Sequence, residues 1–167
     1  MIIRDLTLSD APALQRLMMS NAGYTKRVEG GDPSADAAGA VLTALPPAVD
    51  PGQKRDIGVW DGEVLVAFVD VIVGWPAPQM AHIGLLMTDG AREGRGLGWL
   101  LHDAVVTKLL ARGGIETLRI LIVDTNAAVA EPFWKKMGYS AAGQVSPYDS
   151  GTVSSTARTW TRPLILV

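Results

Sequence analysis

The sequence contains no cysteine, few aromatic residues and no long uninterrupted apolar run. The absence of Cys from 167 residues excludes disulfide bonds, thiolate catalysis, cysteine-ligated zinc and iron–sulfur clusters. The most apolar stretch, 64–73, is interrupted by Asp70 and is far shorter than the ~18 residues that a membrane-spanning helix needs. The charged start, Met1 to Asp5, does not resemble a secretory signal peptide. We therefore expect a cytoplasmic protein without a membrane partner.

An excess of charge of one sign is also lacking. The chain has 15 Lys and Arg against 17 Asp and Glu, a net charge of −2 with both His neutral. Because general nucleic-acid binding needs a strongly cationic surface, we expect no nucleic-acid partner. Two His and dispersed carboxylates form no metal-ligand pattern, so no metal site is predicted. With 48% hydrophobic residues, the length suits one domain over residues 1–167.

The first half of the chain predicts a strand, two helices and three strands. The first strand is Ile2–Leu8 and is followed by a helix from Ser9 to about Gly23. Polar residues 24–31 are predicted as a loop, and Asp32-Pro33 is predicted to start a second helix that ends before Pro46. Strands at 57–60, 64–73 and 81–88 follow, and the short turns between them indicate antiparallel pairing.

The second half alternates between helix and strand. Apolar residues repeat every 3.6 positions from Leu97 to Leu109, and Gly113 ends this helix. A strand at 118–123, a helix at about 128–137 and a final strand at about 157–166 follow. This order predicts an α+β fold with a mixed, mostly antiparallel sheet flanked by helices.

The sharpest motif lies between a predicted strand and the longest helix, where residues 93–98 read Glu-Gly-Arg-Gly-Leu-Gly. Alternating glycines let backbone N–H groups converge, and the helix N-terminus adds free N–H groups and a positive dipole. The segment is therefore either an anion site, most naturally for phosphate, or a flexible turn. It lacks the Gly-Lys-Ser/Thr of a nucleotide P-loop and the Gly-x-Gly-x-x-Gly of dinucleotide sites.

These residues resemble the GNAT superfamily of N-acetyltransferases. Its acetyl-CoA motif, Arg/Gln-x-x-Gly-x-Gly/Ala, matches at Gly96 and Gly98, although Glu93 stands where Arg or Gln is usual. Upstream, Ile83 to Thr88 resembles the strand that leads into the motif. Downstream, Asn126 and the Phe-Trp-Lys-Lys-Met-Gly-Tyr of 133–139 resemble the family's next helix. The order of predicted elements agrees over most of the chain.

The resemblance implies an α+β fold in which strands 81–88 and 118–123 splay apart to hold the pantetheine arm of acetyl-CoA. Backbone groups of Leu86, Met87 and Thr88 would bind the pantetheine amides, and a donor near Met87 would polarise the thioester carbonyl. The remaining implied cofactor-binding residues are Gly94, Arg95, Gly96, Leu97 and Gly98 for the pyrophosphate, with Asn126, Phe133 and Trp134 on the other side. CoA would be the product.

The implied reaction is direct attack of a small-molecule or peptide amine on the thioester, and it needs a proton acceptor. His82 and Asp70 are the candidate catalytic residues, and each also has an ordinary structural explanation. Tyr24 and Glu29 lie in a segment that covers the acceptor site in relatives, although a solvated loop is the simpler interpretation. Trp134 replaces a Tyr that is often assigned as the acid, so the acid stays open.

Two other classes compete with an N-acetyltransferase. An acyl-CoA-binding sensor without turnover would explain Trp134 and Glu93, and a nucleotide-binding α/β protein would explain a glycine-rich loop. The family resemblance also makes a homodimer possible. No motif in the sequence identifies the acceptor.

Overall fold

The computed structural model of the chain describes residues 1–164. Its strands are β1 (Ile2–Asp5), β2 (Lys54–Asp61), β3 (Val64–Val73), β4 (Met80–Thr88), β5 (Thr117–Val123), β6 (Ser140–Ser150) and β7 (Val153–Pro163). Its α-helices are α1 (Ala11–Ser20), α2 (Ala22–Glu29), α3 (Ala37–Thr43), α4 (Leu97–Arg112) and α5 (Ala127–Lys136). The strands form one seven-stranded sheet in the order β1-β2-β3-β4-β5-β7-β6. Every neighbouring pair is antiparallel except β4 and β5, which are parallel.

The predicted α+β fold with a mixed, mostly antiparallel sheet is confirmed. The prediction of a loop over residues 24–31 is wrong, because α2 occupies most of it and ends at Gly30, whose φ is 89°. The second predicted helix begins later than expected, at Ala37 instead of Pro33. The last strand ends at Pro163, and positions 165–166 of the predicted strand lie outside the described residues.

Apolar residues cover both faces of the sheet, as its central strands require. On one face, Leu97, Leu101 and Val105 of α4 pack against β-strand residues such as Val69. On the other face, Leu14 and Leu17 of α1 and residues of α3 pack against the fully buried Phe68. Strand β3 is therefore buried on both sides, and Asp70 is the one charged residue in it. No helix within residues 1–164 is long and apolar enough to cross a membrane.

Strands β4 and β5 diverge soon after they meet. They pair from Met80–Thr117 to His82–Arg119. Beyond that point β4 pairs with β3 and β5 pairs with β7, and the described residues contain no further β4–β5 pairing. The register between β3 and β4 shifts where Asp70 faces Leu85 and Val71 faces Ile83, so Gly84 is an extra residue in β4, a β-bulge. The predicted splay is thus present.

Candidate functional site

The gap between the diverging strands opens into a cavity of about 500 Å³, which we call the wedge cavity. One wall is residues 83–88 of β4, and the opposite wall includes Ile120, Leu121 and Val123 of β5. Because the facing edges of these strands have no strand partner here, their backbone N–H and C=O groups are free to bind an extended ligand. This is the geometry expected for an arm that lies between two strands.

The glycine-rich loop closes one end of the wedge cavity. Gly94, Gly96 and Gly98 line it, and φ is 74° at Gly94 and 78° at Gly96. No atom lies within 4 Å of the position that a Cβ would take at either of these two residues. Gly96 caps α4, and the first helical bond is from Leu100 N to Gly96 O, 2.9 Å. The N–H groups of residues 97–99 therefore lack a helical acceptor, and the cradle suits an anion.

Helix α5 forms the wall across from the loop. Asn126, Phe133 and Trp134 line the wedge cavity, and the two aromatic rings contact edge to face with centroids 5.0 Å apart. A Cβ at Gly98 would lie 3.0 Å from the Phe133 ring, so glycine allows α4 and α5 to approach closely. Pro132 lies within α5 and does not end it.

Helix α2 spans the wedge cavity from one strand end to the other. Asn21, just before the helix, donates from Nδ2 to the Thr88 carbonyl at the end of β4, 3.0 Å. Arg27 donates from Nε to Asn126 Oδ1 beyond the end of β5, 2.6 Å. The Tyr148 hydroxyl of β6 donates to the Val28 carbonyl, 2.8 Å. Tyr24, Arg27 and Val28 consequently line the cavity, opposite the sheet.

The structure brings together most of the residues predicted to bind the cofactor. The members that line the wedge cavity are Leu86, Met87, Thr88, Gly94, Gly96, Gly98, Asn126, Phe133 and Trp134. The Leu97 side chain is buried in the core, and Arg95 is exposed. Arg92, next to Glu93, pairs with Asp61 at 2.6 Å and with Asp89 at 3.5 Å. Glu93 is exposed at the cavity edge.

The structure does not bring His82 to the wedge cavity. It is 8% exposed and lies where β4 and β5 still pair. Arg119 Nη1 donates to His82 Nδ1, 3.1 Å, and the Trp75 ring packs against the imidazole at 5.2 Å. Burial and, to a smaller extent, the charge of Arg119 together lower the pKa of His82 to about 4. The expected role of His82 as a base therefore has no support in this geometry.

Asp70, the other predicted proton acceptor, lies next to the wall of the cavity. Its Oδ2 is 2.8 Å from the position of a Cβ on Gly84, and Gly84 is exposed and lines the cavity. The other oxygen, Oδ1, accepts a hydrogen bond from Lys54 Nζ at 2.6 Å. A glycine in the bulge thus leaves room for a carboxylate directly behind β4.

The sequence did not reveal three residues of the site. Arg27 was hidden in the predicted loop, although the i, i+4 spacing of Tyr24 and Val28 is a helical signal. Gly84 and Lys54 gain their roles from strand register, which the sequence does not show. Among residues 1–164, no cluster of three or more His, Asp or Glu is placed to hold a metal ion.

Comparison with protein families adds to this geometry. The model of the family described as "Acetyltransferase (GNAT) family" matches residues 32–139, more than half of the 167 residues. The chain belongs to the GNAT acetyltransferase family. The predicted family and the predicted enzyme class, an acyltransferase, are therefore confirmed, and acetyl transfer from acetyl-CoA is general to that family. A search of curated proteins finds no significant match.

Solved structures share the fold over the full length of this family member. An acetyltransferase from Thermus thermophilus aligns with a TM-score of 0.75 and 23% identity, covering 98% of this chain and 97% of that chain. The ribosomal-protein-S18-alanine N-acetyltransferase of Escherichia coli aligns with a TM-score of 0.70 and 18% identity, covering 99% of this chain and 95% of that chain. An aminoglycoside 6'-N-acetyltransferase complexed with coenzyme A aligns with a TM-score of 0.70 and 15% identity, covering 100% of this chain and 99% of that chain.

Proposed function

We propose that the protein is an acetyl-CoA-dependent N-acetyltransferase that moves the acetyl group directly to a primary amine. The observation that carries the proposal is the wedge cavity, where an unpaired strand edge runs from the anion cradle at α4 to the bulge at Gly84. The anion cradle suits the pyrophosphate of CoA. The carboxylate of Asp70, next to the bulge, suits an ammonium group.

The residues of the cavity fit the cofactor of this family. The N–H groups of Gly96 and Gly98 would hold the pyrophosphate, and the free edge of β4 at Leu86, Met87 and Thr88 would bind the pantetheine amides. The N–H near Met87 would also stabilise the negative charge that develops on the carbonyl oxygen. Acetyl-CoA supplies the activated acetyl thioester. Because the chain has no Cys, no Cys-acyl enzyme forms and transfer is direct.

Asp70 is the proton acceptor in this proposal. An amine attacks only when it is neutral, so a group near the bulge must take one proton from the ammonium form. The Asp70 side chain is 15% exposed and has one oxygen turned toward exposed Gly84. It therefore both attracts the cation and accepts its proton.

The departing thiolate needs a donor, and Trp134 does not provide one, because an indole N–H is not a useful acid. Tyr24 is the phenol among the described residues that line the wedge cavity. Burial, with smaller contributions from the nearby Tyr148 and Glu29, raises the pKa of Tyr24 to about 12, although Arg27 opposes the shift. It stays protonated at neutral pH, so we assign it as the hydrogen-bond donor to the thiolate.

The test is a panel of primary amines, small molecules and peptide N-termini, incubated with acetyl-CoA and the protein. Mass spectrometry reports acetylated product, and a thiol reagent reports free CoA. We expect both signals for at least one amine. Asp70→Asn should lower the rate by on the order of 10²–10⁴-fold while acetyl-CoA still raises the melting temperature as in the wild type.

Asp10→Asn is the matched control, because Asp10 also pairs with a cation, Arg4 at 2.9 Å, but lies outside the cavity. Its rate should stay close to that of the wild type. Thermal stabilisation by acetyl-CoA without thiol release for any amine would instead identify an acyl-CoA sensor. Stabilisation by ATP or NAD but not by CoA would overturn both assignments.

A further inference from the structure

Two aspartates lie side by side behind the wedge cavity, with one lysine between them. Asp56 and Asp70 are cross-strand partners in the β2–β3 register. Lys54 Nζ lies 2.6 Å from Asp70 Oδ1 and 3.6 Å from Asp56 Oδ1. The exposed fractions of the three side chains are 8% for Lys54, 8% for Asp56 and 15% for Asp70. Two ionised carboxylates and one ammonium would leave a net negative charge in this buried cluster, which is costly.

Asp56 also lacks a hydrogen-bond donor for one of its oxygens. Its Oδ1 is buried without a hydrogen-bond partner among the described residues, because Lys54 Nζ at 3.6 Å is beyond hydrogen-bond distance. A buried carboxylate oxygen without a donor is unfavourable. A proton shared between the two carboxyl groups removes the net charge and gives the pair an internal hydrogen bond.

The two aspartates lie next to different cavities. Asp70 Oδ2 is next to Gly84 of the wedge cavity. Asp56 and Lys54 line a second cavity of about 470 Å³, between β1, β2 and the end of α3. Exposed residues, Asp5 and Thr43, also line this second cavity, so it communicates with solvent. The pair therefore lies between the reaction site and a separate water-accessible space.

We propose that Asp56 and Asp70 act as one proton-sharing pair that accepts the proton of the acceptor ammonium and releases it through the second cavity. This inference rests on the proposed function. The ammonium N–H bond breaks, the electron pair stays on nitrogen, and the proton passes to Asp70, then to Asp56 and to water. The neutral nitrogen then attacks the thioester carbon, so that the C–N bond forms, the C–S bond breaks and sulfur leaves with the electron pair. Tyr24 gives this thiolate its proton and takes up the second proton of the nitrogen, which leaves CoA as the free thiol. The overall reaction releases one proton, as the balance requires.

The charge of the cluster changes near neutral pH. Burial and the neighbouring Asp70 together raise the pKa of Asp56 to about 7, although Lys54 opposes the shift. Asp5 and Arg55 are the other charged groups that line the second cavity. Below that pH the cluster is neutral, and above it one negative charge remains. A cationic acceptor is therefore bound more strongly once the pair has lost its proton.

Infrared spectroscopy of the ligand-free protein tests the pair without any acceptor. Carboxyl groups with ordinary pKa values are ionised at pH 6, so a carboxylic-acid C=O band at that pH reports the shared proton. We expect this band to disappear as the pH rises through about 7, and to be absent in folded Asp56→Asn. The control Asp10→Asn should keep it, because the pKa of Asp10 is lowered mainly by its hydrogen bond from Arg4.

A wild-type spectrum without the acid band at pH 6, or a band that persists in Asp56→Asn, would overturn the inference. If Asp56→Asn does not fold, Lys54→Gln gives a second test. Because this variant lacks the cation, the midpoint pH at which the acid band disappears should be higher than in the wild type. An unchanged midpoint would also contradict the pair.

Kinetics with the best amine of the panel test the proton path. Wild-type kcat/KM should rise about tenfold per pH unit below the pKa of the pair, and this rise should vanish in Asp56→Asn with unchanged acetyl-CoA affinity. A purely structural Asp56 would change the melting temperature and leave the pH profile in place. If no amine is acetylated, the proposed function fails, whereas the infrared titration still decides whether the pair exists.

Discussion

Gly96 combines a backbone conformation that favours glycine with open surroundings. Its φ of 78° lies in the left-handed region, which costs other residues about 1–2 kcal/mol. Its surroundings are open, with no atom within 4 Å of a Cβ position, so the space is available to a ligand. Gly143 shares both properties, with a φ of 84° and open surroundings, but it lies on β6 and not in the wedge cavity.

Gly96→Asp should therefore abolish most of the acetyl-CoA affinity and leave the fold intact. A carboxylate at the helix N-terminus would repel the pyrophosphate, and we expect binding to weaken on the order of 100-fold or more. Isothermal titration with acetyl-CoA measures the loss. Gly143→Asp carries the same backbone strain and the same added charge, so equal losses in the two variants would disprove the pyrophosphate assignment.

In the proposed mechanism, Tyr24 supplies the phenol that Trp134 does not provide. Tyr24→Phe keeps the ring and removes the hydroxyl, so kcat should fall on the order of 10²-fold while the KM for acetyl-CoA changes little. Steady-state kinetics with the best amine measure both values. Adding Trp134→Tyr should restore part of kcat by supplying a phenol from α5. An unchanged kcat in Tyr24→Phe would show that water protonates the thiolate.

At the scale of elements, α2 shows where sequence analysis failed. Strands 64–73 and 81–88 and the long helix have strong local periodicity, and the structure reproduces them within a residue. Helix α2 is short and polar, and such a helix depends on contacts with the rest of the fold. Those contacts join residues far apart, such as Arg27 with Asn126 and Val28 with Tyr148. A single sequence does not contain this information.

The same reason limits what could be predicted of the site. The glycine-rich loop is local, so the sequence located it and the residues beside it. The cluster of Lys54, Asp56 and Asp70 depends on the pairing of β2 with β3 and on the bulge at Gly84. A shift of one residue would move these side chains to the opposite face of the sheet. The sequence indicated Asp70 as unusual but did not reveal its partners.

The end of α2 is held by the β6–β7 turn. Thr152 N donates to the Glu29 carbonyl, 2.9 Å, and a Cβ on Gly151 would overlap that same carbonyl oxygen. Gly151→Ala should therefore push the turn away from α2. Gly143→Ala measures only the cost of placing alanine in a left-handed backbone conformation. Compared with that variant, Gly151→Ala should lower the free energy of unfolding by about 1 kcal/mol more.

Denaturant unfolding of the two variants measures this difference. Because α2 covers the wedge cavity, Gly151→Ala should also raise the KM for the amine more than the KM for acetyl-CoA. Equal stabilities, or equal changes in both KM values, would mean that the turn does not position α2.

For the whole molecule, three buried groups with shifted pKa values contribute to the dependence of stability on pH between about 4 and 7. Burial lowers the pKa of His82 and of His102 to about 4, and a nearby arginine contributes in each case. Both are neutral in the fold, and the unfolded chain takes up their protons below about 6.5. Their stabilisation is therefore complete above that pH and is lost as the pH falls toward 4. Asp56, with its raised pKa, acts oppositely: its stabilisation is complete below about 4, where the unfolded carboxyl is also protonated, and is lost as the pH rises to about 7.

These opposing effects predict a free energy of unfolding that rises from pH 4 and levels off near pH 7. His102 is 3% exposed, and its Nε2 is 2.9 Å from the Tyr139 hydroxyl. Between neutral pH and pH 5, protonation of His102 in the unfolded chain lowers the free energy of unfolding by about 2 kcal/mol.

His102→Gln keeps a hydrogen-bonding partner for Tyr139 but takes up no proton in the unfolded chain. Urea unfolding across this pH range should therefore show a shallower acid limb for His102→Gln. Tyr139→Phe removes the same hydrogen bond but leaves the imidazole, so it should lower stability and keep the wild-type slope. If His102→Gln keeps that slope as well, then His102 is protonated in the folded protein, and the acid limb arises from His82 and the surface carboxylates.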